Sequence, residues 1–185
     1  MNWQGLEYSL NAIYYCIWLK NLWMLKTAEK FTKFFLLSLP KPVLPKRYYG
    51  KLKKHVTKNL EEGHDNFYDN RDGMCIDITK FDADSLFIVY SCCIALPAFL
   101  WAYIYVIEQI WIALLVILVV AYIFERPLSK YVYRDDKYLK YFKEFENEDK
   151  TWRRKWKVIT LLFCLGALLS FLLGLAAAKF VALSS

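Results

Sequence analysis

Residues 155–179 read KWKVITLLFCLGALLSFLLGLAAAK, an apolar run with basic residues at both ends. Runs of 18 or more nearly uncharged apolar residues are typical of transmembrane helices, so we predict a span from about Val158 to Ala178. Residues four apart share one face of a helix, and a small side chain recurs here at every fourth position. The resulting groove predicts close helix packing through Gly166, Ser170, Gly174 and Ala178.

Such a groove lets two helices approach closely in lipid, where helices gain no hydrophobic stabilisation from meeting each other. We expect it to accept a second copy of the chain, which would make the protein a homo-oligomer. The alternatives are that it accepts the two earlier spans of the same chain, or a helix of a different membrane protein.

A second apolar block, residues 85–124, contains no Lys or Arg, and Glu108 is its only charged residue. A single helix of that length would extend about 60 Å, twice the roughly 30 Å of the hydrocarbon core, so the block must fold back. Glu108 and Gln109 predict the turn, because a carboxylate at the bilayer centre is costly. The transmembrane hairpin then covers residues 85–126, with Arg126 reaching towards the surface.

Pro97 lies in the first arm of this hairpin. A proline inside a helix removes one backbone hydrogen bond, here the bond to the carbonyl of Cys93, so we predict a helix kink at Pro97. The alternative to the hairpin is a re-entrant loop that breaks at the same proline.

Positive charge is distributed unevenly along the chain. Of the 25 Lys and Arg residues, 13 precede Ser85, 11 lie between Glu125 and Lys157, and the last is Lys179. Cytoplasmic segments of membrane proteins carry an excess of Lys and Arg. Three spans would place all but Lys179 on one side, so we predict a multi-pass protein of the plasma (inner) membrane with a cytoplasmic N-terminus and an extracytoplasmic C-terminus.

Residues 1–39 mix aromatic and charged side chains. Lys26, Lys30 and Lys33 alternate with aromatic residues such as Trp23 and Phe31. This mixture predicts an amphipathic helix that lies at the cytoplasmic interface of the membrane with its aromatic side towards lipid. The alternative is a tilted fourth span over residues 6–25, which would move the N-terminus outside.

Residues 40–84 are predicted to form a cytoplasmic basic helix followed by an acidic hairpin. Asp72-Gly73 is favoured in hairpin turns, and Met74, Ile76 and Ile78 alternate with less apolar residues as in a half-buried strand. A basic helix near the inner leaflet gains energy from anionic lipid. We therefore predict that the lysines of this helix contact the membrane surface, namely Lys51, Lys53, Lys54 and Lys58.

Residues 127–157 form a second cytoplasmic segment, which leads into the C-terminal span region, residues 158–185. Aromatic residues recur at helical intervals and predict an amphipathic linker helix whose aromatic face packs on the basic helix or lies in the membrane interface. Arg153 and Arg154 are predicted to contact the membrane surface at the start of the last span. The aromatic face consists of Tyr138, Tyr141, Phe142 and Phe145.

The sequence carries no recognisable catalytic, cofactor or metal motif. Its five cysteines form no CxxC pair, and its two histidines lack ligand-like spacing. A calcium loop centred on Gly73 would need carboxylates where Tyr68 and Thr79 stand. We therefore expect no enzymatic activity, cofactor or metal, and no nucleic-acid binding, because no reading motif accompanies the positive charge.

These patterns predict an all-α integral membrane protein with three transmembrane helices, a hairpin plus a C-terminal span. We expect it to contact membrane lipid, to oligomerise through its spans and to present residues 41–84 and 125–157 as a platform to a cytoplasmic protein partner. By class analogy alone, such anchoring or sensing subunits occur in bacterial immunity and antiviral defence. The alternative is a pore-forming effector that permeabilises the membrane on triggering. A lipid-acting enzyme would have to use Asp65, Asp69 and Asp77.

Overall fold

The computed structural model describes residues 3–38, 46–68, 73–105 and 110–183, and every regular element within these ranges is a helix. The all-α fold class is therefore confirmed. A π-helical segment (Ser129–Tyr133) and a 3-10 turn (Arg134–Asp136) separate the fourth and fifth α-helices. The α-helices are α1 (Trp3–Ser38), α2 (Lys46–Tyr68), α3 (Met74–Tyr105), α4 (Ile110–Leu128), α5 (Lys137–Glu146) and α6 (Lys150–Leu183).

The chain divides into two compact units. The first unit consists of residues 1–16 and 81–185, and the second of residues 17–80. Because α1 and α3 are long, each contributes residues to both units.

In the second unit, the start of α3 is held to α1 by hydrogen bonds between small polar groups. Asn21 Nδ2 donates to Thr79 Oγ1 at 3.2 Å, and Thr79 Oγ1 donates to the carbonyl of Cys75 at 2.7 Å. The Cys75 thiol lies 3.9 Å from the carbonyl oxygen of Trp18. These contacts satisfy polar groups that are fully buried at Cys75 and Thr79.

The strand predicted over Met74–Thr79, and with it the predicted acidic hairpin, is wrong. These residues form the first turns of α3, which begins where the amides of Ile76 and Asp77 donate to the carbonyl of Gly73. Cys75, Ile76 and Thr79 are all fully buried, and their spacing is that of a helical face. Six residues are too few to separate this pattern from an alternation with period two. Asp72, the other half of the predicted turn, lies outside the described residues.

The interfacial helix predicted for residues 1–39 is wrong for its first half. A run of α1 residues that points to every side of the helix is buried, and it includes Asn11, Tyr14, Tyr15 and Trp18. An interfacial helix buries one face only. The second half of α1 does expose aromatic side chains, at Trp23, Phe31, Phe34 and Phe35.

In the first unit, α6 packs against α3 at its small residues. A Cβ atom on Gly174 would overlap the backbone carbonyl of Cys92 and lie 3.1 Å from the Cα of Cys93. A Cβ on Gly166 would instead meet the hydroxyl of Tyr90. Of the other two predicted groove residues, Ser170 is half-buried and Ala178 is buried.

A polar contact supports the same helix pair one turn earlier. The Tyr90 hydroxyl donates to the carbonyl of Phe163 at 2.6 Å, and the two rings lie 4.8 Å apart between centroids. Phe87 also reaches Phe163, with centroids 5.6 Å apart. The α3–α6 contact is thus aromatic at one end and backbone-to-backbone at the other.

Two helical stretches among the described residues, Met74–Trp101 and Lys150–Leu183, are long and apolar enough to cross a membrane. In the most apolar 18-residue stretch of each, only 17% and 11% respectively is buried, whereas the core helix of a soluble protein is mostly buried. The first of these stretches continues through Pro97 without a break, so a re-entrant loop broken at this proline is wrong. The predicted turn at Glu108 and Gln109 lies outside the described residues.

The Gly174 contact gives a stability prediction. We expect Gly174→Ala to destabilise the α3–α6 pair by about 1–3 kcal/mol, because the added methyl group meets backbone that cannot rotate away. Gly166→Ala should cost less, since the Tyr90 side chain can move. The measurement is the denaturant midpoint of the detergent-solubilised protein.

Gly5→Ala is the matched control, because nothing lies within 4 Å of a Cβ at Gly5. A midpoint that falls equally for Gly5→Ala and Gly174→Ala would contradict the close backbone contact.

Candidate functional site

The first unit contains a dense cluster of aromatic side chains, which we call the aromatic cluster. Because Tyr138, Phe142 and Phe145 occur at intervals of three and four residues, they share one face of α5, and all three are almost completely buried. The cluster draws on α1, on the α4–α5 connection, on α5 and on the start of α6. Its members are Tyr8, Tyr14, Tyr15, Tyr133, Tyr138, Tyr141, Phe142, Phe145, Trp152 and Trp156.

The rings of α5 pack edge-to-face against the first turns of α1. Tyr15 lies 5.1 Å from Phe142 and 5.6 Å from Phe145 between ring centroids, and Tyr14 lies 5.6 Å from Tyr138. Edge-to-face pairs contribute stabilisation beyond the area that they bury. The partner of the predicted aromatic face is therefore the N-terminal part of α1, which the sequence did not indicate.

The start of α6 closes the cluster. Trp152 stacks at 4.7 Å on Phe145, and Trp156 lies 5.9 Å from Tyr8. The indole Nε1 of Trp152 donates to the Tyr8 hydroxyl at 2.8 Å, so its one polar atom is satisfied. Trp152 therefore belongs to this packed core.

A set of polar contacts ties α1 to the same region. Glu7 accepts a hydrogen bond from Lys137 Nζ at 3.1 Å and a longer one from the Tyr141 hydroxyl at 3.4 Å. Asn11 is fully buried, and its Nδ2 donates to the carbonyl of Tyr131 at 2.9 Å. Glu7 and Asn11 lie one turn apart on α1, so they fix both its rotation and its depth in the unit.

Two phenols of the cluster are held in their protonated form. Burial, followed by the carboxylate of Asp84, raises the pKa of Tyr133 far above its ordinary value, and its hydroxyl donates to Asp84 Oδ1 at 2.8 Å. Burial and the carboxylate of Glu7 raise the pKa of Tyr141 in the same way. Both hydroxyls therefore act as structural donors at neutral pH, and neither is activated as a nucleophile.

The connection between α4 and α5 has unusual backbone geometry. Asp135 and Asp136 both adopt left-handed φ values, 58° and 50°. Non-glycine residues rarely do so, and Asp is among the better-tolerated types. The two residues follow the π-helical segment and form the kink that leads into α5. The sequence has no glycine or proline at this kink, and we did not predict it.

The predicted membrane-surface residues fall into two groups. Lys51, Lys53, Lys54 and Lys58 are all exposed on α2. Arg154 is also exposed, whereas Arg153 is half-buried and donates from Nη2 to the carbonyl of Glu146 at 2.7 Å. Arg153 thus satisfies a carbonyl at the C-terminal end of α5, where a cation is also favoured by the helix dipole.

An open basic pocket of about 540 Å³ lies where α4 passes into the π-helical segment. The pocket is lined by Arg126, Ser129, Lys130, Tyr133 and Arg134.

In the part of the chain that the structure describes, no three His, Cys, Asp or Glu side chains are grouped so that they could hold a metal ion.

No protein-family model, no curated protein and no solved structure matches this chain. The function must therefore be argued from its own residues.

The aromatic cluster predicts a large stability effect at its centre. We expect Phe145→Ala to lower the free energy of unfolding by about 3–5 kcal/mol, because Phe145 is fully buried and contacts rings from α1, α5 and α6. Denaturant titration followed by tryptophan fluorescence measures the change.

Phe34→Ala is the matched control, since Phe34 is two-thirds exposed on α1. If the two variants lose similar stability, the cluster is not the core of this unit.

Proposed function

We propose that the protein is a multi-pass integral membrane protein, with three bilayer-spanning helices and a cytoplasmic helical platform that anchors a partner protein. The spans are α3 from about Ser85, α4 and α6. The platform is the aromatic cluster with the charged surface around it. The proposed role is structural.

The observation that carries this proposal is the inverted burial of α6. Its inward positions between Thr160 and Ala178 are small, and its outward positions are large and aliphatic. Eight leucines between Leu161 and Leu175 are each 46–61% exposed. A helix in water buries its leucines and exposes its small residues, so this pattern is the opposite of a soluble amphipathic helix.

The extent of apolar surface supports the same conclusion. Soluble monomers rarely expose continuous apolar patches larger than a few hundred Å². Here α4 exposes large side chains from Trp111 to Ile123, and α6 does so over more than five turns. Lipid covers such surfaces without cost, and helices in lipid meet through small residues, as α6 meets α3 at Gly174.

The distribution of Lys and Arg along the sequence supports three spans and their orientation. Of the 25 Lys and Arg residues, 24 lie either before the uncharged stretch of α3 or between those of α4 and α6. Three crossings keep those segments on the cytoplasmic side, with the N-terminus inside and the C-terminus outside. The exposed aromatic residues on the second half of α1, beside Lys26, Lys30 and Lys33, fit a helix at the inner interface.

The small-residue groove has an occupant within the same chain. Gly166 and Gly174 face Tyr90 and the backbone of Cys92, both on α3. We therefore propose that the groove joins spans of one chain. Self-association through the same four residues stays a prediction, and it would require α6 to release α3 from Gly166 and Gly174.

The surface proposed for a protein partner is the outer face of α5. Lys140, Lys143 and Glu144 are exposed there, opposite the buried aromatic face. The packed rings beneath hold this face rigid, which favours binding because little entropy is lost.

Membrane insertion is tested on the full-length chain with two epitope tags. We expect one tag inserted between Asn147 and Glu148, in the α5–α6 connection, to be protected in intact spheroplasts, and one added after Ser185 to be accessible. The protein should stay in the membrane after alkaline carbonate extraction.

Release by carbonate would overturn the proposal that the chain is integral. If both tags lie on the same side in carbonate-resistant protein, α6 does not cross the bilayer, and the proposed set of three spans is wrong.

A further inference from the structure

The basic pocket at the end of α4 brings three cations to one side of the chain. Arg126, Lys130 and Arg134 follow one another at four-residue intervals, and all are exposed. The π-helical segment widens the helix over part of this stretch, so that a four-residue step stays close to one full turn. The amide of Arg134 donates to the carbonyl of Ser129, which closes the π-helical turn beneath the pocket.

An apolar stripe leads directly into this pocket. Leu114, Leu118 and Tyr122 are exposed at the same four-residue spacing, and Arg126 is the next position. The guanidinium carbon of Arg126 lies 4.7 Å from the centroid of the Tyr122 ring. This cation–π contact holds the first cation where the apolar stripe ends.

We propose that the pocket binds the phosphate group of an anionic membrane lipid, whose acyl chain lies along the stripe of Leu114, Leu118 and Tyr122. This inference rests on the proposed membrane insertion of α4. It assigns a ligand of defined chemistry to a site that borders the aromatic cluster at Tyr133.

The donors in the pocket match a phosphate. Two guanidinium groups, one ammonium and the Ser129 hydroxyl can all donate to phosphate oxygens. Arg134 also forms an exposed ion pair with Asp135 at 3.6 Å, but its five N–H donors leave several for a ligand. Tyr133 contributes its ring as a wall, because its hydroxyl is already donated to Asp84.

The apolar stripe favours a lipid over free phosphate. Leu114 and Arg126 are twelve residues apart, which is about 18 Å along a helix. One leaflet of the hydrocarbon core is about 15 Å thick, so the stripe spans the depth that one acyl chain occupies. A free phosphate ion would use the cations and leave this exposed stripe uncovered.

The test uses the full-length protein in non-ionic detergent micelles at fixed salt, with calorimetric titration of dioctanoyl phosphatidylglycerol, dioctanoyl phosphatidylcholine and sodium phosphate. We expect the wild type to prefer the anionic lipid over both other probes. Arg126→Gln, Lys130→Gln and Arg134→Gln should each weaken its binding about fivefold. Arg126→Lys, which keeps the charge, should weaken it less.

The matched control is the combined variant Lys140→Gln, Lys143→Gln and Lys150→Gln, which removes three exposed cations outside the pocket. Its lipid binding should be unchanged, and all variants should keep the wild-type circular dichroism. Equal weakening by control and pocket variants would overturn the site in favour of diffuse electrostatics. Equally tight binding of sodium phosphate would overturn the lipid as its ligand.

Carbonate extraction of the membranes from which these proteins are purified separates this proposal from the one above. If the chain resists carbonate but shows no preference for the anionic lipid, only the lipid site is wrong. If carbonate releases the chain, the membrane insertion on which the lipid site rests is wrong as well.

Discussion

The contact between Gly174 and the backbone of Cys92 fixes how α6 is rotated about its axis. Because α6 is one continuous helix from Lys150 to Leu183, this rotation also decides which way its other residues face. The buried positions Trp156, Thr160, Ala167 and Gly174 follow a seven-residue pattern along one seam. One rotation of α6 therefore brings its backbone against α3 at Gly174 and directs Trp152 and Trp156 into the aromatic cluster. It also directs the leucines of α6 outwards.

Two kinds of stabilisation act along this single helix. Where large aliphatic side chains face outwards, the proposed lipid surroundings give no hydrophobic reward for helix contact, and dispersion between closely approaching backbones must hold α3 and α6 together. At the aromatic cluster the rings are removed from water, and burial itself stabilises the packing. The aromatic cluster therefore uses large side chains, because burying them from water stabilises the packing. The groove uses small side chains, because they let two helix backbones approach closely in lipid.

The sequence predicted those features that depend on one helix alone. The aromatic face of α5 and the small-residue stripe of α6 are both periodic, and periodicity is local. The burial of the first half of α1 was missed, because Glu7 and Asn11 look like surface residues until Lys137 and the carbonyl of Tyr131 are brought to them across more than a hundred residues. The strand over Met74–Thr79 was predicted wrongly, because six residues do not distinguish the two-residue period of a strand from the helical period. The kink at Asp135 and Asp136 was also not predicted, because no glycine marks its left-handed backbone angles in the sequence.

The most direct test of this account is the environment of the outward leucines of α6. Single spin labels at Leu161, Leu168 and Leu172 would be compared with one at Ala167, in protein reconstituted into vesicles with its five native cysteines replaced. We expect the leucine positions to collide freely with molecular oxygen and hardly with a water-soluble nickel chelate, and Ala167 to be inaccessible to both. Strong relaxation of the leucine labels by the nickel chelate would place this face in water and contradict the central claim.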